Sequence, residues 1–110
     1  FIVYSNNAKI KNLSVSPKTL QNYGAVSEEV AIEMAINCRN ITNSTVSVSI
    51  TGIAGPGGSE NKPEGRVCFG VIFNKKIISK TIEFGAIGRE NVRIKSVKYA
   101  LKLLINTLTE

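Results

Sequence analysis

The most restrictive stretch of the sequence is a glycine-rich run at residues 51–58, which reads TGIAGPGG. It holds four glycines and one proline, a composition that excludes both a helix and a strand interior. The alternating run VSVSI directly before it, at 46–50, predicts a strand. The chain must therefore turn tightly at the end of that strand, with backbone N–H groups left uncovered by side chains.

Composition leaves two interpretations of this glycine loop (residues 51–58) open. Uncovered N–H groups can approach an anion closely, so one interpretation is a phosphate-binding loop. The other is an ordinary mobile connection between two elements. The run matches neither the phosphate motif that ends in Gly-Lys-Ser/Thr nor the Gly-x-Gly-x-x-Gly motif that opens a helix.

The sequence lacks two residue types that many active sites require, because it contains no histidine and no aspartate. A Ser-His-Asp site, a Cys-His site and a histidine-based metal site are therefore excluded within the chain. Cys38 and Cys68 lie far apart without partner ligands, so we predict no metal site. We interpret both as free buried thiols in a reducing cytoplasm, and a disulfide between them is the alternative.

The formal net charge of +6 is spread along the whole chain. Its lysines form no dense run and do not alternate with aromatic residues, which favours a solvated surface over a nucleic-acid-binding face. No stretch approaches the ~20 consecutive apolar residues that a membrane-spanning helix needs. We therefore predict a cytoplasmic protein with neither nucleic acid nor membrane as a partner.

Hydrophobic spacing and capping residues predict a mixed α/β chain that forms one domain over residues 1–110. Residues 1–3 are apolar and include the β-branched Ile2 and Val3, which is typical of a buried strand end. Helices are predicted at 6–13, 17–23, 28–39 and 89–108, and further strands at 46–50, 66–73 and 77–84. Helices separate the first two strands, which favours a parallel pair, so the expected fold is a three-layer α/β/α sandwich with a mixed sheet.

Lys9 lies in the first turn of the predicted helix at 6–13, for which Ser5 is the predicted N-cap. A cation in this position opposes the helix dipole, so local electrostatics do not favour it. The position of this lysine is therefore better explained by a contact with a distant part of the chain. An ordinary exposed lysine is the alternative.

Four motifs, in order along the chain, resemble the CinA C-terminal domain family: YSNNAK at 4–9, GAVSEEVA at 24–31, the glycine loop, and KPEGRV at 62–67. The resemblance covers essentially all 110 residues. The family includes nicotinamide-nucleotide amidases, which convert nicotinamide mononucleotide to its acid form and release ammonia. The resemblance implies that this protein is a hydrolase that needs no cofactor, acts on a small nucleotide and forms a homodimer.

The resemblance also implies which residues act. Tyr4 and Lys9 match a pair that assists a serine nucleophile in place of histidine, and a neutral lysine can act as a base when its pKa is lowered. Arg89 matches an arginine that holds the substrate, and its planar guanidinium suits a phosphate or carbonyl oxygen. The substrate-binding residues implied in the glycine loop are Thr51, Gly52, Ala54, Gly55 and Gly57.

The sequence departs from the family at the nucleophile, because it contains no Glu-Ser-Cys-Thr-Gly-Gly segment. By resemblance that segment would lie before Phe1, so we expect an N-terminally truncated domain. Two functions follow: an amidase domain that contributes base, loop and arginine, or an inactive nucleotide-binding or dimerisation module. Truncation would also expose apolar surface at the sheet edge beside residues 1–3, which predicts oligomerisation or poor solubility.

Overall fold

The computed structural model describes residues 1–109. The order of its elements is α1 (Asn6–Leu13), α2 (Pro17–Tyr23), α3 (Glu28–Thr42), β1 (Val46–Gly52), β2 (Arg66–Phe73), β3 (Lys76–Glu83) and α4 (Arg89–Thr109). The strands lie in the order β1-β2-β3, and both pairs are antiparallel. Within residues 1–109 no helix is long and apolar enough to cross a membrane.

The central strand β2 is buried on both of its faces. Its residues Val67, Phe69 and Val71 pack on one face against apolar residues of α4. On the other face Gly70 lies against α3, since a Cβ atom there would stand 2.6 Å from the carbonyl oxygen of Ala31. Because successive strand residues point to opposite faces, the two helices cover opposite sides of the sheet. This confirms the predicted α/β/α layering.

Serine caps define the starts of the first three helices, as the sequence predicts. The Oγ atoms of Ser5, Ser16 and Ser27 each accept a hydrogen bond from a backbone N–H in the first turn. The helix α3 runs beyond the predicted end at residue 39, and it ends where Asn43 adopts a left-handed conformation. The strand β1 also extends past residue 50, because Gly52 still pairs with β2.

Residues 1–3 do not form the predicted strand. They have no strand pairing in the structure, and Phe1 and Ile2 are 63% and 90% exposed. The carbonyl oxygen of Val3 accepts a hydrogen bond from the Lys9 side chain instead of joining a sheet ladder. The described part of the chain therefore lacks the expected parallel pair, and its sheet is purely antiparallel.

Apolar side chains are exposed beside the edge strand β1. Phe1, Ile2 and Ile50 line one hollow with β1, and each is at least 40% exposed. Exposed apolar surface at a free sheet edge favours association between molecules. Oligomerisation through this edge stays a prediction.

Glu28 joins α3 to β3 at the end of the sheet that carries the glycine loop. Its carboxylate accepts hydrogen bonds from Ser79 Oγ at 2.5 Å and from Thr81 Oγ1 at 2.6 Å. These bonds, first the one from Ser79, lower the pKa of Glu28 because they stabilise its charged form. The start of α3, and with it the preceding turn at residues 24–27, is thereby fixed against the sheet.

We expect Glu28→Gln to lower the free energy of unfolding at pH 7. A carboxyl group whose pKa is depressed by folding stabilises the protein above its unfolded pKa, and this contribution is lost as pH falls through the folded pKa. The difference between the variant and the native chain should therefore shrink at about pH 3. Urea unfolding at both pH values measures this difference.

The matched control is Glu29→Gln, which removes the same charge from the same helix turn at an exposed position. Both variants lose the same favourable interaction with the helix N-terminus. The assignment fails if Glu28→Gln costs no more than Glu29→Gln at pH 7, or if its cost is unchanged at low pH.

Candidate functional site

A groove between the N-terminal segment and the glycine loop brings together all the residues that the sequence analysis assigned to catalysis or substrate binding. Its volume is about 590 Å³. The lining includes Tyr4, Lys9, Thr51, Gly52, Ala54, Gly55, Gly57 and Arg89. An adjoining hollow of about 500 Å³ beside β1 shares most of these residues. Residues that are distant in the sequence therefore meet at one surface.

Lys9 is buried, with only 6% of its surface exposed. The alternative of an ordinary exposed lysine is therefore wrong. Its Nζ atom donates hydrogen bonds to the carbonyl oxygens of Val3, at 3.1 Å, and Tyr4, at 3.5 Å. Burial lowers the pKa of Lys9 because the charged form loses hydration, and the negative charge of Glu60 opposes that shift.

The two carbonyl partners of Lys9 can be bound by its side chain in the charged or the neutral form. A neutral amine has two N–H bonds and one lone pair. When both N–H bonds are directed to Val3 and Tyr4, the lone pair remains able to accept a proton. A buried lysine with a lowered pKa, on the wall of a groove, has the properties of a general base.

Arg89 links three separate parts of the chain at the mouth of the groove. It is the first residue of α4. Its Nη1 donates to the carbonyl oxygen of Gly55 at 3.0 Å, and its Nη2 donates to the Tyr4 hydroxyl. A guanidinium has five N–H donors in a planar fork, so donors remain for a ligand oxygen. The side chain of Tyr4 is itself 79% exposed.

The glycine loop is held in place by hydrogen bonds from both sides. The backbone of Ile53 exchanges bonds with Arg66 and Gly65 at 2.9 and 2.7 Å. The Thr51 hydroxyl donates to the carbonyl oxygen of Ala25 at 2.8 Å, so its hydrogen is directed to the protein. As a ligand contact, this hydroxyl is left with the capacity to accept a hydrogen bond.

The carboxylate of Glu64 binds the backbone N–H of Gly57 at the tip of the loop. Its Oε1 accepts from the N–H of Gly57 at 2.6 Å. Its carboxyl group also fills the space beside Gly55, where a Cβ atom would lie 2.6 Å from the carboxyl carbon. Gly55 has φ +93, so both conformation and close approach require glycine here. An anion that sought the Gly57 N–H would have to displace Glu64.

Glu60 and Lys62 fasten the loop to the turn before α3. Sequence reasoning missed Glu60 and noted Lys62 only as part of the KPEGRV motif. Glu60 Oε1 accepts from the N–H of Ala25 at 3.3 Å. Lys62 Nζ donates to the carbonyl oxygens of Tyr23 and Val26, both at 2.6 Å. The available signal was a pair of opposite charges in a short polar connection between two strands. Because the hydrogen-bond partners of Glu60 and Lys62 lie far away along the chain, no local sequence pattern indicates these contacts.

Cys38 is half-buried and lines the adjoining hollow, which Lys9 and Arg89 also line, whereas Cys68 is buried and lines neither the hollow nor the groove. Cys38 and Cys68 are free thiols, so the alternative of a disulfide is wrong. Burial raises the pKa of Cys68, which keeps the thiol protonated. Within residues 1–109 no three His, Cys, Asp or Glu side chains are grouped to hold a metal.

We expect Lys9→Met to keep or raise the free energy of unfolding at pH 7, because methionine fills a similar volume without loss of hydration of a charge. A lysine whose pKa is lowered by folding destabilises the native state below that pKa, and the cost disappears as pH rises toward the unfolded value. The advantage of the variant should therefore narrow at about pH 10. Urea unfolding at both pH values measures it.

Lys11→Met is the control, since Lys11 is an exposed lysine on the same helix. It should show no comparable change between the two pH values. A loss of more than about 1 kcal/mol in Lys9→Met at pH 7 would contradict the expected cost of burying Lys9.

The chain is similar to proteins of known sequence over nearly its whole length. It is 48% identical over 104 residues to a putative competence-damage inducible protein of Alkaliphilus metalliredigens, covering 94% of this chain and 25% of that protein. It is 46% identical over 104 residues to a CinA-like protein of Fervidobacterium nodosum, with the same two coverages. The chain thus spans about a quarter of the length of these relatives.

Several solved structures are similar to this chain both in fold and in sequence. A CinA superfamily protein from Escherichia coli superposes with a TM-score of 0.91 at 38% identity, over 96% of this chain and 61% of that one. A competence or damage-inducible protein from Enterobacter asburiae gives 0.93 at 35% identity, over 98% and 68%. The pattern of the CinA C-terminal domain matches residues 1–108. The chain belongs to the CinA C-terminal domain family.

Proposed function

We propose that this chain supplies the base, the loop and the anion-binding arginine of a nicotinamide-nucleotide amidase site. The observation that carries the proposal is Lys9, a buried lysine with a lowered pKa that lines the same groove as Arg89. A buried cation is costly to maintain, and function is a common reason for such a group. The family resemblance supplies the reaction class.

Hydrolysis of a carboxamide needs a group that takes a proton from the attacking nucleophile. In this proposal the neutral amine of Lys9 accepts that proton, and the nucleophile forms a bond to the amide carbon. The protonated Lys9 then gives its proton to the nitrogen, the carbon–nitrogen bond of the tetrahedral intermediate breaks, and ammonia leaves. Water attacks the remaining acyl intermediate, which releases the acid and restores the nucleophile. The Tyr4 hydroxyl lies near this path, where Arg89 holds it.

The phosphate group of the nucleotide is assigned to Arg89. Its guanidinium is exposed at the groove and is oriented by Gly55 and Tyr4. Fixed orientation lowers the entropic cost of binding, and a planar fork can donate two parallel hydrogen bonds to a phosphate. The Gly57 N–H is already bound to Glu64, so the guanidinium is the better anion site.

We expect the chain to bind nicotinamide mononucleotide and Arg89→Ala to weaken binding about 10- to 100-fold, the usual effect of losing a charge-assisted hydrogen bond. Isothermal titration calorimetry measures both affinities. Arg93→Ala is the control, because Arg93 is exposed one turn further along α4 and does not line the groove. Equal weakening in both variants would point to net charge alone and would contradict the role of Arg89.

Ammonia release distinguishes the amidase from an inactive nucleotide-binding module. We would assay the chain alone and the same chain preceded by a family segment with Glu-Ser-Cys-Thr-Gly-Gly. Release in either form supports the amidase, and Lys9→Met should then reduce the rate more than it reduces binding. Binding without release in both forms supports the inactive module. A full rate in Lys9→Met would exclude Lys9 as the base, and absence of binding would overturn both functions.

A further inference from the structure

The groove carries charges of both signs. Among the side chains that line it, Lys9 and Arg89 are cationic, and Glu60 is the acidic one. Within residues 1–109 neither cation forms an ion pair with Glu60, because the Lys9 ammonium contacts backbone carbonyls and Arg89 contacts Gly55 and Tyr4. The negative charge of Glu60 is therefore not neutralised by direct contact with either of them.

Glu60 is exposed, yet the turn before α3 fixes its position. Its Oε1 accepts from the N–H of Ala25 at 3.3 Å, and its Oε2 lies close to Gly24, where a Cβ atom would stand 3.1 Å away. The nearby cation Lys62 is itself held by the carbonyl oxygens of Tyr23 and Val26. The groove thus presents one anchored carboxylate at a place separate from the Arg89 fork.

This arrangement matches a ligand that carries a positive charge and a negative charge on different groups. Arg89 suits the anionic group, and the carboxylate of Glu60 suits a cationic group that cannot approach another cation. A pyridinium nucleotide has this distribution, with a positively charged ring joined through a sugar to a phosphate. Reduction of the ring removes its charge and leaves the sugar, the phosphate and the carboxamide in place.

We infer that Glu60 determines specificity for the charged pyridinium ring over its neutral dihydropyridine form. The inference rests on the proposed function for its class of substrate. It goes further by assigning the recognition of ring charge to one residue that the family motifs do not mark. Attraction between a partly exposed carboxylate and a cation is modest, so the expected preference is about two- to fivefold.

The test compares the affinities of the chain for nicotinamide mononucleotide and for its reduced form, measured by titration calorimetry. The native chain should bind the oxidised form more tightly. Glu60→Gln removes the charge but keeps an oxygen that can accept from Ala25, so it should bring the affinity ratio close to one. Glu60→Lys should reverse the preference. These affinity ratios do not depend on ammonia release. If Glu60 had only a structural role, its substitution would weaken the binding of both nucleotides equally.

Glu29→Gln is the matched control, because Glu29 is acidic, exposed and does not line the groove. Its affinity ratio should equal that of the native chain. Thermal melting of each variant confirms that it is folded. If the native chain binds the nucleotide, either of two results overturns the inference about Glu60 alone. The first is no preference of the native chain for the oxidised form, and the second is an affinity ratio that neither Glu60→Gln nor Glu60→Lys changes. A native chain that binds neither form overturns the proposed function as well.

Discussion

The burial of β2 on both faces is the constraint on which the rest of the structure depends. Val67, Phe69 and Val71 must be covered by α4, and Gly70 lets α3 approach the opposite face. A strand with two apolar faces is stable only between two helical layers. That requirement places the end of β1, the start of β2, the start of α3 and the start of α4 near one another. The groove forms where these ends meet.

The groove concentrates polar groups whose cost the apolar core offsets. Lys9 gives up hydration, and the lowered pKa of its ammonium records that loss. Backbone carbonyls of Val3 and Tyr4 compensate in part, and they are free to do so because residues 1–3 join no strand. Arg89 and Glu60 stay exposed, where their charges are hydrated and still available to a ligand. The lysine of the groove is thus buried, whereas its other two charged side chains are exposed.

The glycine loop serves chiefly to shape this site. Its backbone is bound to β2 through Ile53 and to Glu64 through Gly57, and the Thr51 hydroxyl binds the turn before α3. Within residues 1–109 the backbone N–H groups of Ala54, Gly55 and Gly58 have no hydrogen-bond partner. Glycine is required at residue 55 because of its positive φ and the adjoining carboxyl group. Neither initial interpretation of the loop describes it fully. It is an anchored wall, and the side chains around it carry most of the charge.

The sequence by itself determined the local elements and the family. Serine caps, proline at the start of α2 and helical spacing located the helices because these signals act within one turn. Only the tertiary structure decided that Lys9 is buried, that Arg89 reaches Tyr4, and that Glu60 lies in the groove. It also showed that residues 1–3 form no strand, although all three are apolar and two are β-branched. Burial and pairing depend on partners far along the chain, and short-range patterns do not record which partner will be adjacent.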